Sequence, residues 1–357
     1  MIHPKSTNGQ RERTRVTDNE PTVGAVCDVG RLQAWVRTEL GVSRRISVVG
    51  RASGGSSNIT LFVDAGPEQW VLRRPPLGDV LPTAHDVVRE YRYIAAVHGA
   101  GLPVAEPIGL CTDADVIGAP FSLLRRVPGF VMSDPASRCV GDPVSAASVT
   151  RSMIDVLARL HAVDWRAIGL EARPGEYLQR QVSRWTRQLE LTPSASRLGS
   201  RLDEITSWIN SNVPRATRQT IVHGDYTLNN VIVSPPPDAS VAAVLDWEMA
   251  TIGDPVTDVV WLLRGWGSDA QPSNWIALQP GALTPTEAIE VYERASGTTI
   301  GDLHFYEAFC AWKGIAILEG LYSAWLAGTA PTTRAAEFEA MVPEAVLELH
   351  QRLSCRP

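Results

Sequence analysis

The chain has 357 residues, of which 44% are hydrophobic and 20% charged, and its formal net charge is -6. This composition is typical of a soluble globular protein and excludes a fibrous or largely disordered chain. The negative net charge argues against a nucleic-acid partner, which usually leaves a basic footprint. A chain of this length is expected to form about two domains or lobes, since one domain commonly takes ~150 residues.

The cysteines and the apolar segments predict the compartment. The five cysteines are scattered and contain no C-x-x-C pair, so neither a disulfide framework nor a zinc site is expected. The longest apolar stretch, Leu303–Leu326, is interrupted by Glu307, Lys313 and Glu319, which a membrane span would have to bury at high cost. We therefore predict a buried helix there, no membrane partner and a cytoplasmic protein. The polar N-terminus contains no signal-peptide pattern.

The first third of the chain predicts a sheet with two helices. Residues 1–24 are polar and aperiodic, and we expect a disordered tail. Apolar periodicity and Gly/Pro turns then predict, in chain order, a helix at Arg31–Leu40, strands at Ile46–Val49, Ile59–Val63 and Trp70–Arg73, a helix at Asp86–His98, and strands at Pro103–Leu110 and Phe121–Leu124. This pattern is typical of a small, mostly antiparallel lobe, which we assign to residues 25–127.

The remainder of the chain, residues 128–357, is predicted to form a larger helical lobe. Its predicted elements are helices at Val149–His161, Tyr177–Leu189 and Leu202–Ile209, strands at Ile221–Val222, Val231–Val233 and Val241–Leu245, and helices after Gly253. The fold class is therefore α+β, with a small β-rich lobe and a larger helical lobe. Ligands usually bind in the cleft between two such lobes.

Three polar residues follow the strands in the middle of the chain. Asp225 lies in a loop, Asn230 follows five residues later, and Asp246 ends a later strand. A strand, a turn and a returning strand would bring Asn230 and Asp246 side by side. An amide oxygen and a carboxylate suit Mg²⁺, which takes hard oxygen ligands and keeps room for phosphate oxygens. Asp225 then remains free to accept a proton from a substrate hydroxyl.

This set of residues carries a family resemblance. The segments HGDYTLNNVIV and LDWE, from His223 to Glu248, resemble the aminoglycoside phosphotransferase family of the protein-kinase-like superfamily. The resemblance implies a bilobal kinase-like fold and an enzyme that transfers the γ-phosphate of ATP, with Mg²⁺, to a hydroxyl of a small molecule. Asp225 is then the catalytic base, and Asn230 and Asp246 hold the metal. His223 is expected to shape the loop.

The resemblance also implies a nucleotide site in the small lobe. The Gly/Ser turn Ser53–Asn58 is in the position of a flexible loop over the phosphates. The segment FSLLRRVPG is similar to the family's hinge strand, whose backbone holds the adenine. The predicted nucleotide contacts in these two segments are Gly54, Gly55, Ser56, Ser57 and Asn58 in the loop, and Leu124, Arg125, Arg126 and Val127 in the hinge segment.

The third strand contains arginines and no lysine, whereas the family usually has a lysine in this strand. The strand reads WVLRR, and alternation places Val71 and Arg73 on one face and Arg74 on the other. Alignment selects Arg73 for the phosphates, although the choice between Arg73 and Arg74 stays open. Glu90 lies on the apolar face of the next helix, and an ion pair with Arg73 would satisfy its charge. The VLR strand resembles the subgroup of kinase-like domains fused to acyl-CoA dehydrogenases.

A second motif, GDPVTD, resembles the family's segment after the metal site. We expect Asp254 to cap a helix and Asp258 to brace the catalytic loop through hydrogen bonds. Both roles are structural rather than chemical. The sequence contains no P-loop, H-E-x-x-H or G-x-S-x-G motif.

The identity of the phosphate acceptor stays open. An aminoglycoside is a polycation and would need an acidic cleft, for which Glu248 is a candidate. A hydroxylated metabolite such as a hydroxyacyl thioester would need basic or apolar contacts, and Trp312 and Trp325 either line that pocket or pack in the core. A nucleotide-binding regulator without catalysis is the third reading. The presence of all three polar residues of the central motif argues against it.

Overall fold

The computed structural model describes residues 23–52, 58–77, 86–216, 218–266, 272–329 and 335–355. The helices within these ranges are α1 (Val23–Val26), α2 (Val29–Leu40), α3 (Val87–Gly99), α4 (Pro143–Ala162), α5 (Tyr177–Glu190), α6 (Gly199–Ser211), α7 (Val256–Leu263), α8 (Pro285–Ser296), α9 (His304–Leu326) and α10 (Phe338–Ser354). The strands are β1 (Ser47–Arg51), β2 (Ile59–Ala65), β3 (Glu68–Arg74), β4 (Pro107–Cys111), β5 (Phe121–Arg125), β6 (Phe130–Val131), β7 (Thr220–Val222), β8 (Val231–Val233), β9 (Val241–Val244) and β10 (Thr251–Gly253).

The small lobe is built on one antiparallel sheet of five strands in the order β1-β2-β3-β5-β4. Burial alternates along β2 and β3, so that Leu61 and Leu72 point into the core while Phe62 and Val71 are partly exposed on the other face. Phe62 and Val71 are paired across the two strands, and Arg73 lies further along the same face. The predicted alternation is confirmed, and it gives the sheet one face toward the cleft.

The large lobe surrounds α9, which is buried on most of its sides. It packs against α5, α6, α7 and α10, while α4 packs against α8. Lys313 and Glu319, two of the three charges on α9, are buried with the apolar residues of this helix. The predicted buried helix is therefore confirmed. In the described part of the chain, no helix is long and apolar enough to cross a membrane.

Capping residues explain where helix ends differ from the prediction. The α4 helix begins at Pro143, six residues before its predicted start, because the side chain of Asp142 accepts the N–H groups of Val144 and Ser145. Similarly, Asp28 accepts the N–H of Arg31 and starts α2. Capping residues are polar and lie outside the apolar stripe of a helix. Sequence periodicity detects only that stripe, so it does not locate the caps.

Two short strands were not predicted. Strand β6 pairs with β8 to extend the β8–β9 hairpin, and β10 pairs with β7 in a separate two-stranded sheet. Each has two or three residues, so alternation cannot identify it, and its partner is distant in sequence. The β7–β10 pair nevertheless holds together the two ends of the segment between these strands, residues 223–250. The part of this segment that follows β7, residues 223–230, is called the central loop. The α+β fold is as predicted, while the boundary at Val127 stays a prediction.

Candidate active site

The central loop leaves β7 through a sharp turn at Gly224. Its φ is 84°, a left-handed conformation that glycine adopts without strain. A Cβ atom here would also lie 2.9 Å from the carbonyl oxygen of Met249. A residue with a side chain would therefore be both strained and blocked, so the chain needs glycine immediately before Asp225.

The carboxylate of Asp225 is held by two neutral donors. The side-chain amide of Asn230 donates to Oδ2 at 2.8 Å and also to the backbone carbonyl of Asp225 at 2.9 Å. The indole N–H of Trp261, on α7, donates to Oδ1 at 2.7 Å. Each oxygen keeps a lone pair for a further proton or hydrogen bond. The carboxylate is thus fixed in direction at the edge of a cavity.

Asp246 stands beside Asn230 across the hairpin, as predicted. The backbone N–H of Leu245 donates to the carbonyl oxygen of Asn230 at 2.8 Å. Asp246 has φ 62° and ψ 66°, an uncommon conformation for a residue other than glycine and one found at ligand sites. Its Oδ1 atom is buried and accepts no hydrogen bond from any residue in the described ranges.

These features fit a magnesium ion. A buried carboxylate oxygen without a hydrogen-bond donor is costly unless a cation compensates it, and the guanidinium of Arg73, at 3.8 Å, lies beyond hydrogen-bond distance of this oxygen. In the described part of the chain, no three His, Cys, Asp or Glu side chains could together hold a metal. A cation here would therefore rely on Asp246, on the Asn230 amide oxygen, and on water and phosphate oxygens, which is the pattern that Mg²⁺ accepts.

Arg73 lies between Glu90 and Asp246. Its Nε is 3.3 Å from Glu90 Oε2, and a terminal nitrogen is 3.8 Å from Asp246 Oδ1. The predicted Arg73–Glu90 ion pair is therefore present. Burial raises the pKa of Glu90 to about 7, although the charge of Arg73 opposes that rise.

Arg74 points away from the cleft, on the face of β3 opposite to Arg73; the alternation predicted opposite faces but left open which of the two arginines faces the cleft. Its guanidinium donates to the carbonyl oxygens of Val26 at 2.5 Å and Ile117 at 2.9 Å, on the far side of the sheet. It is buried there at 3% exposure. Of the two candidate arginines, Arg73 is thus the one on the cleft face of β3.

The predicted hinge segment, residues 124–127, begins within β5 and continues beyond its last residue, Arg125. The N–H of Arg125 donates to the carbonyl of Glu106 and that of Arg126 to the carbonyl of Gln69, each at 2.8 Å. The side chain of Arg125 also pairs with Glu106, and the guanidinium of Arg126 lies 4.8 Å from the ring centre of Phe62. Because these two N–H groups are already used, an adenine bound here would pair with other backbone groups of the segment.

The predicted phosphate loop lies mostly outside the described residues, which exclude positions 53–57. Asn58, at its end, is described and is 6% exposed. Neither polar atom of its side chain makes a hydrogen bond with a described residue. A buried amide in this state gains from a polar ligand, but the nucleotide contacts of the loop stay a prediction.

Asp258 braces the central loop from α7. Its carboxylate accepts the backbone N–H of His223 at 2.6 Å and that of Gly224 at 2.9 Å, and it contacts His161 at 3.4 Å. Burial opposes its ionisation, but the hydrogen bond and charge of His161, together with His223 and Gly224, outweigh that effect and lower the pKa of Asp258. The predicted bracing role is confirmed.

His223 shapes the loop as predicted. It is fully buried, its Nε2 donates to the carbonyl of Leu245 at 2.9 Å, and its Nδ1 accepts the N–H of Asp225 at 3.3 Å. These two bonds select the tautomer with the proton on Nε2. His223 thereby links the loop that bears Asp225 to the strand that precedes Asp246.

We expect Asp258→Ala to lower the free energy of unfolding by about 3–5 kcal/mol, because it leaves buried donors without an acceptor. A carboxyl group whose folded pKa is lowered stabilises the fold above its unfolded pKa of about 4, and that contribution is lost as the pH falls through the folded pKa. Urea denaturation at pH 7 and pH 3 measures the difference. A cost that stays equal at the two pH values would contradict the account.

Asp254 precedes Pro255, which occupies the N-cap position of α7, and its side chain accepts a backbone N–H of the first helical turn, the interaction that the GDP motif predicted. Its Oδ1 accepts the N–H of Val256 at 3.0 Å, and its Oδ2 accepts the hydroxyl of Tyr306 at 2.8 Å. The preceding Gly253 lies against the ring of Tyr177, where a Cβ atom would be 2.6 Å from a ring carbon. This close contact sets the direction in which α7 leaves the site.

Several residues at the site were not predicted. Trp261 contacts Asp225, and Lys313 on α9 donates to the carbonyl of Gly224 at 2.7 Å. Arg89 on α3 donates to the carbonyls of Glu248 at 2.9 Å and of Ala250, tying the small lobe to the segment after Asp246. The sole sequence signal for Lys313 was a charge inside an apolar stretch.

The two tryptophans proposed for a substrate pocket have different surroundings. Trp312 is fully buried, packs beside Phe309 and donates its indole N–H to the hydroxyl of Thr206 at 3.0 Å. Of the two alternatives for Trp312, the position in the core is therefore right and the position in a substrate pocket is wrong. Trp325 is partly buried near the end of α9, beside Tyr322.

The two lobes, the braced loop and the Arg73–Glu90 pair define a protein-kinase-like fold. The chain belongs to the phosphotransferase enzyme family, whose model (APH) matches residues 48–309. It is 35% identical over 320 residues to acyl-CoA dehydrogenase family member 11 of Gallus gallus, covering 85% of this chain and 40% of that protein. It is 34% identical over 307 residues to member 10 of Mus musculus, covering 83% of this chain and 28% of that protein.

This chain therefore spans two fifths or less of the length of these relatives. Among solved structures, a proposed aminoglycoside phosphotransferase of Ralstonia eutropha JMP134 is 30% identical, with a TM-score of 0.75 over 91% of this chain and 98% of that one. A thermostable mutant of aminoglycoside phosphotransferase APH(4)-Ia, in complex with AMP-PNP and hygromycin B, is 16% identical with a TM-score of 0.57, over 90% and 97%. The latter likeness concerns the fold alone. The predicted family and subgroup are confirmed: the chain is a member of the phosphotransferase enzyme family with a kinase-like fold.

Proposed function

We propose that this protein is an ATP- and Mg²⁺-dependent phosphotransferase that moves the γ-phosphate onto a hydroxyl of a small molecule. The observation that carries the proposal is the orientation of Asp225, whose two carboxylate oxygens are held at 2.7 and 2.8 Å by neutral donors. A base fixed in this way suits phosphoryl transfer, in which catalysis depends mostly on positioning and charge neutralisation.

In the proposed reaction the acceptor hydroxyl attacks the γ-phosphorus. The new bond joins the acceptor oxygen to phosphorus, the bond from phosphorus to the β–γ bridging oxygen breaks, and ADP leaves with that electron pair. Asp225 orients the hydroxyl and takes its proton. Asp246 and Asn230 would hold the magnesium ion, which neutralises phosphate charge when bound. Arg73, kept in place by Glu90, adds a fixed positive charge toward the phosphates.

Nucleotide use is supported by the family and by the named ligands of structural neighbours. One neighbour was solved with AMP-PNP and another, an APH(2'') enzyme, with GDP and kanamycin. These neighbours are 16% and 15% identical to this chain, so ATP as the donor is part of the proposal. GTP is the alternative donor that an assay should include.

The cavity in which the acceptor would bind contains a positively charged residue, Arg264, whereas a polycationic aminoglycoside would need acidic residues there. The cavity beside Asp225 is lined by Thr227, Asn229, Trp261 and Arg264, with Leu228 and Leu262. Within the described lining, Asp225 is the sole carboxylate. Arg264 also borders a second cavity, lined by the apolar residues Val260, Leu263, Ile289 and Leu303 and by Glu307 and Arg352, which pair with each other. A positive charge and apolar walls favour the second acceptor hypothesis, a hydroxylated metabolite with an acidic or acyl part, over an aminoglycoside.

A panel assay separates these acceptors. The purified protein is incubated with Mg²⁺ and ATP or GTP, and with aminoglycosides on one arm and hydroxy acids and hydroxyacyl thioesters on the other. The expected result is a mass gain of one phosphoryl group on a hydroxylated metabolite and none on the aminoglycosides. Phosphorylation of aminoglycosides alone would reverse the choice of acceptor. Absence of any phosphorylated alcohol with either nucleotide would contradict the proposed function.

A further inference from the structure

Among the described residues, one side chain from outside the loop donates a hydrogen bond to the carboxylate of Asp225, the base of the proposed reaction. Asn230 belongs to the same loop as Asp225 and moves with it, whereas Trp261 lies 36 residues away on α7. The bond from the indole N–H to Oδ1 is therefore the contact that fixes the carboxylate relative to the body of the lobe. With both oxygens held, rotation of the carboxylate about its side-chain bonds is restricted.

The indole is itself held firmly. Trp261 is 8% exposed, and two cations contact its ring: Lys313 Nζ lies 3.8 Å and the Arg264 guanidinium 4.5 Å from the ring centre. Both distances are within the range of cation–π attraction. Lys313 also donates to the carbonyl of Gly224, the residue before Asp225. The ammonium group of Lys313 therefore contacts both the ring of Trp261 and the backbone of the loop that carries Asp225.

The pairing of this indole is specific to its position. Trp185 lies near the same ammonium, with Lys313 Nζ 5.8 Å from its ring centre, and it too is buried. Its indole N–H makes no hydrogen bond within the described part of the chain. The fold therefore tolerates a buried indole N–H without a hydrogen bond at Trp185, close to Trp261. The need to satisfy a buried N–H thus does not by itself explain why Trp261 donates to Asp225.

We infer that Trp261 is a positioning residue, which sets the direction of the Asp225 carboxylate toward the acceptor hydroxyl and is itself held by Lys313. The inference rests on the proposed function of Asp225 as the base. A neutral donor suits this role, because a full positive charge in its place would stabilise the carboxylate anion and weaken it as a base. Phenylalanine would keep most of the ring and lose only the donor.

Two measurements test the role. Trp261→Phe should lower kcat about 10- to 100-fold, the size expected when a base that contributes ~10²–10⁴ loses its orientation. The KM for ATP should change less than about twofold, because the nucleotide side is untouched. Trp185→Phe, which removes a neighbouring indole N–H, should retain the wild-type kcat. A kcat for Trp261→Phe within twofold of wild type would overturn the inference.

An NMR measurement separates this inference from the proposed function. In protein labelled with ¹⁵N at the indoles, one N–H resonance should disappear in Trp261→Phe, and the same resonance should shift in Asp225→Asn. An unchanged indole spectrum in Asp225→Asn would show that the bond is absent and would overturn the inference even in an active kinase. If the resonance shifts but no alcohol is phosphorylated, the bond stands, while the proposed function and the catalytic meaning of Trp261 fall.

Discussion

Asp225→Ala is expected to lower kcat by about 10³–10⁴-fold while the protein still binds nucleotide. Removing the carboxylate deletes the group that orients the acceptor hydroxyl and takes its proton, and general-base catalysis contributes up to ~10⁴. The amide of Asn230 and the indole of Trp261 lose an acceptor. The phosphate side of the cleft, with Arg73 and Glu90, is unchanged. Steady-state kinetics and calorimetric titration with ATP measure the two parts separately.

Asp203→Ala is a matched control for that substitution. Asp203 is an exposed carboxylate on α6 and has no place in the site. It should leave both kcat and nucleotide affinity unchanged. If Asp225→Ala retained turnover close to that of Asp203→Ala, Asp225 would not be the base.

Asp246→Asn is expected to remove the dependence of nucleotide binding on Mg²⁺ and to lower kcat by about 10²–10³-fold, the scale on which loss of one electrostatic contact slows a reaction. The buried Oδ1 of Asp246, which accepts no hydrogen bond from a described residue, is the atom best suited to a cation. Asparagine suits the left-handed backbone at φ 62°. The substitution should therefore retain the fold and change the charge alone.

Titration of nucleotide affinity against Mg²⁺ concentration checks this prediction. Wild type should bind ATP more tightly as Mg²⁺ rises, whereas Asp246→Asn should give a nearly flat curve. Asp238→Asn, in the turn between β8 and β9, is the control and should follow wild type. A curve for Asp246→Asn that coincides with that of wild type would exclude Asp246 as a metal ligand.

The central loop and the cleft face of the sheet were predictable because local rules determine them. The spacing from Asp225 to Asn230 to Asp246 identifies a loop and a hairpin, and antiparallel pairing of β8 and β9 brings the last two together. Strand alternation put Arg73 and Arg74 on opposite faces of β3, alignment with the family selected Arg73, and helical periodicity put Glu90 on the inward face of its helix, where the two residues pair. In each case the sequence separation is short or the repeat is regular.

Trp261 and Lys313 could not be predicted in the same way. Their contacts with the loop depend on how α7 and α9 pack against each other and on their rotation, which no local rule fixes. The α9 helix is buried on nearly all sides, so its pattern gives no direction toward the site. The same property left the position of Trp312 open, and the structure places it in the core beside Phe309.

The most direct test of the central claim is the ratio of phosphorylated acceptor to ADP formed by the wild-type protein, measured by mass spectrometry with an acceptor from the panel. Transfer to a hydroxyl oriented by Asp225 predicts one phosphorylated acceptor for each ADP, with almost no free phosphate. ADP accompanied only by free phosphate, or a rate of acceptor phosphorylation in Asp225→Ala equal to that of wild type, would contradict the account.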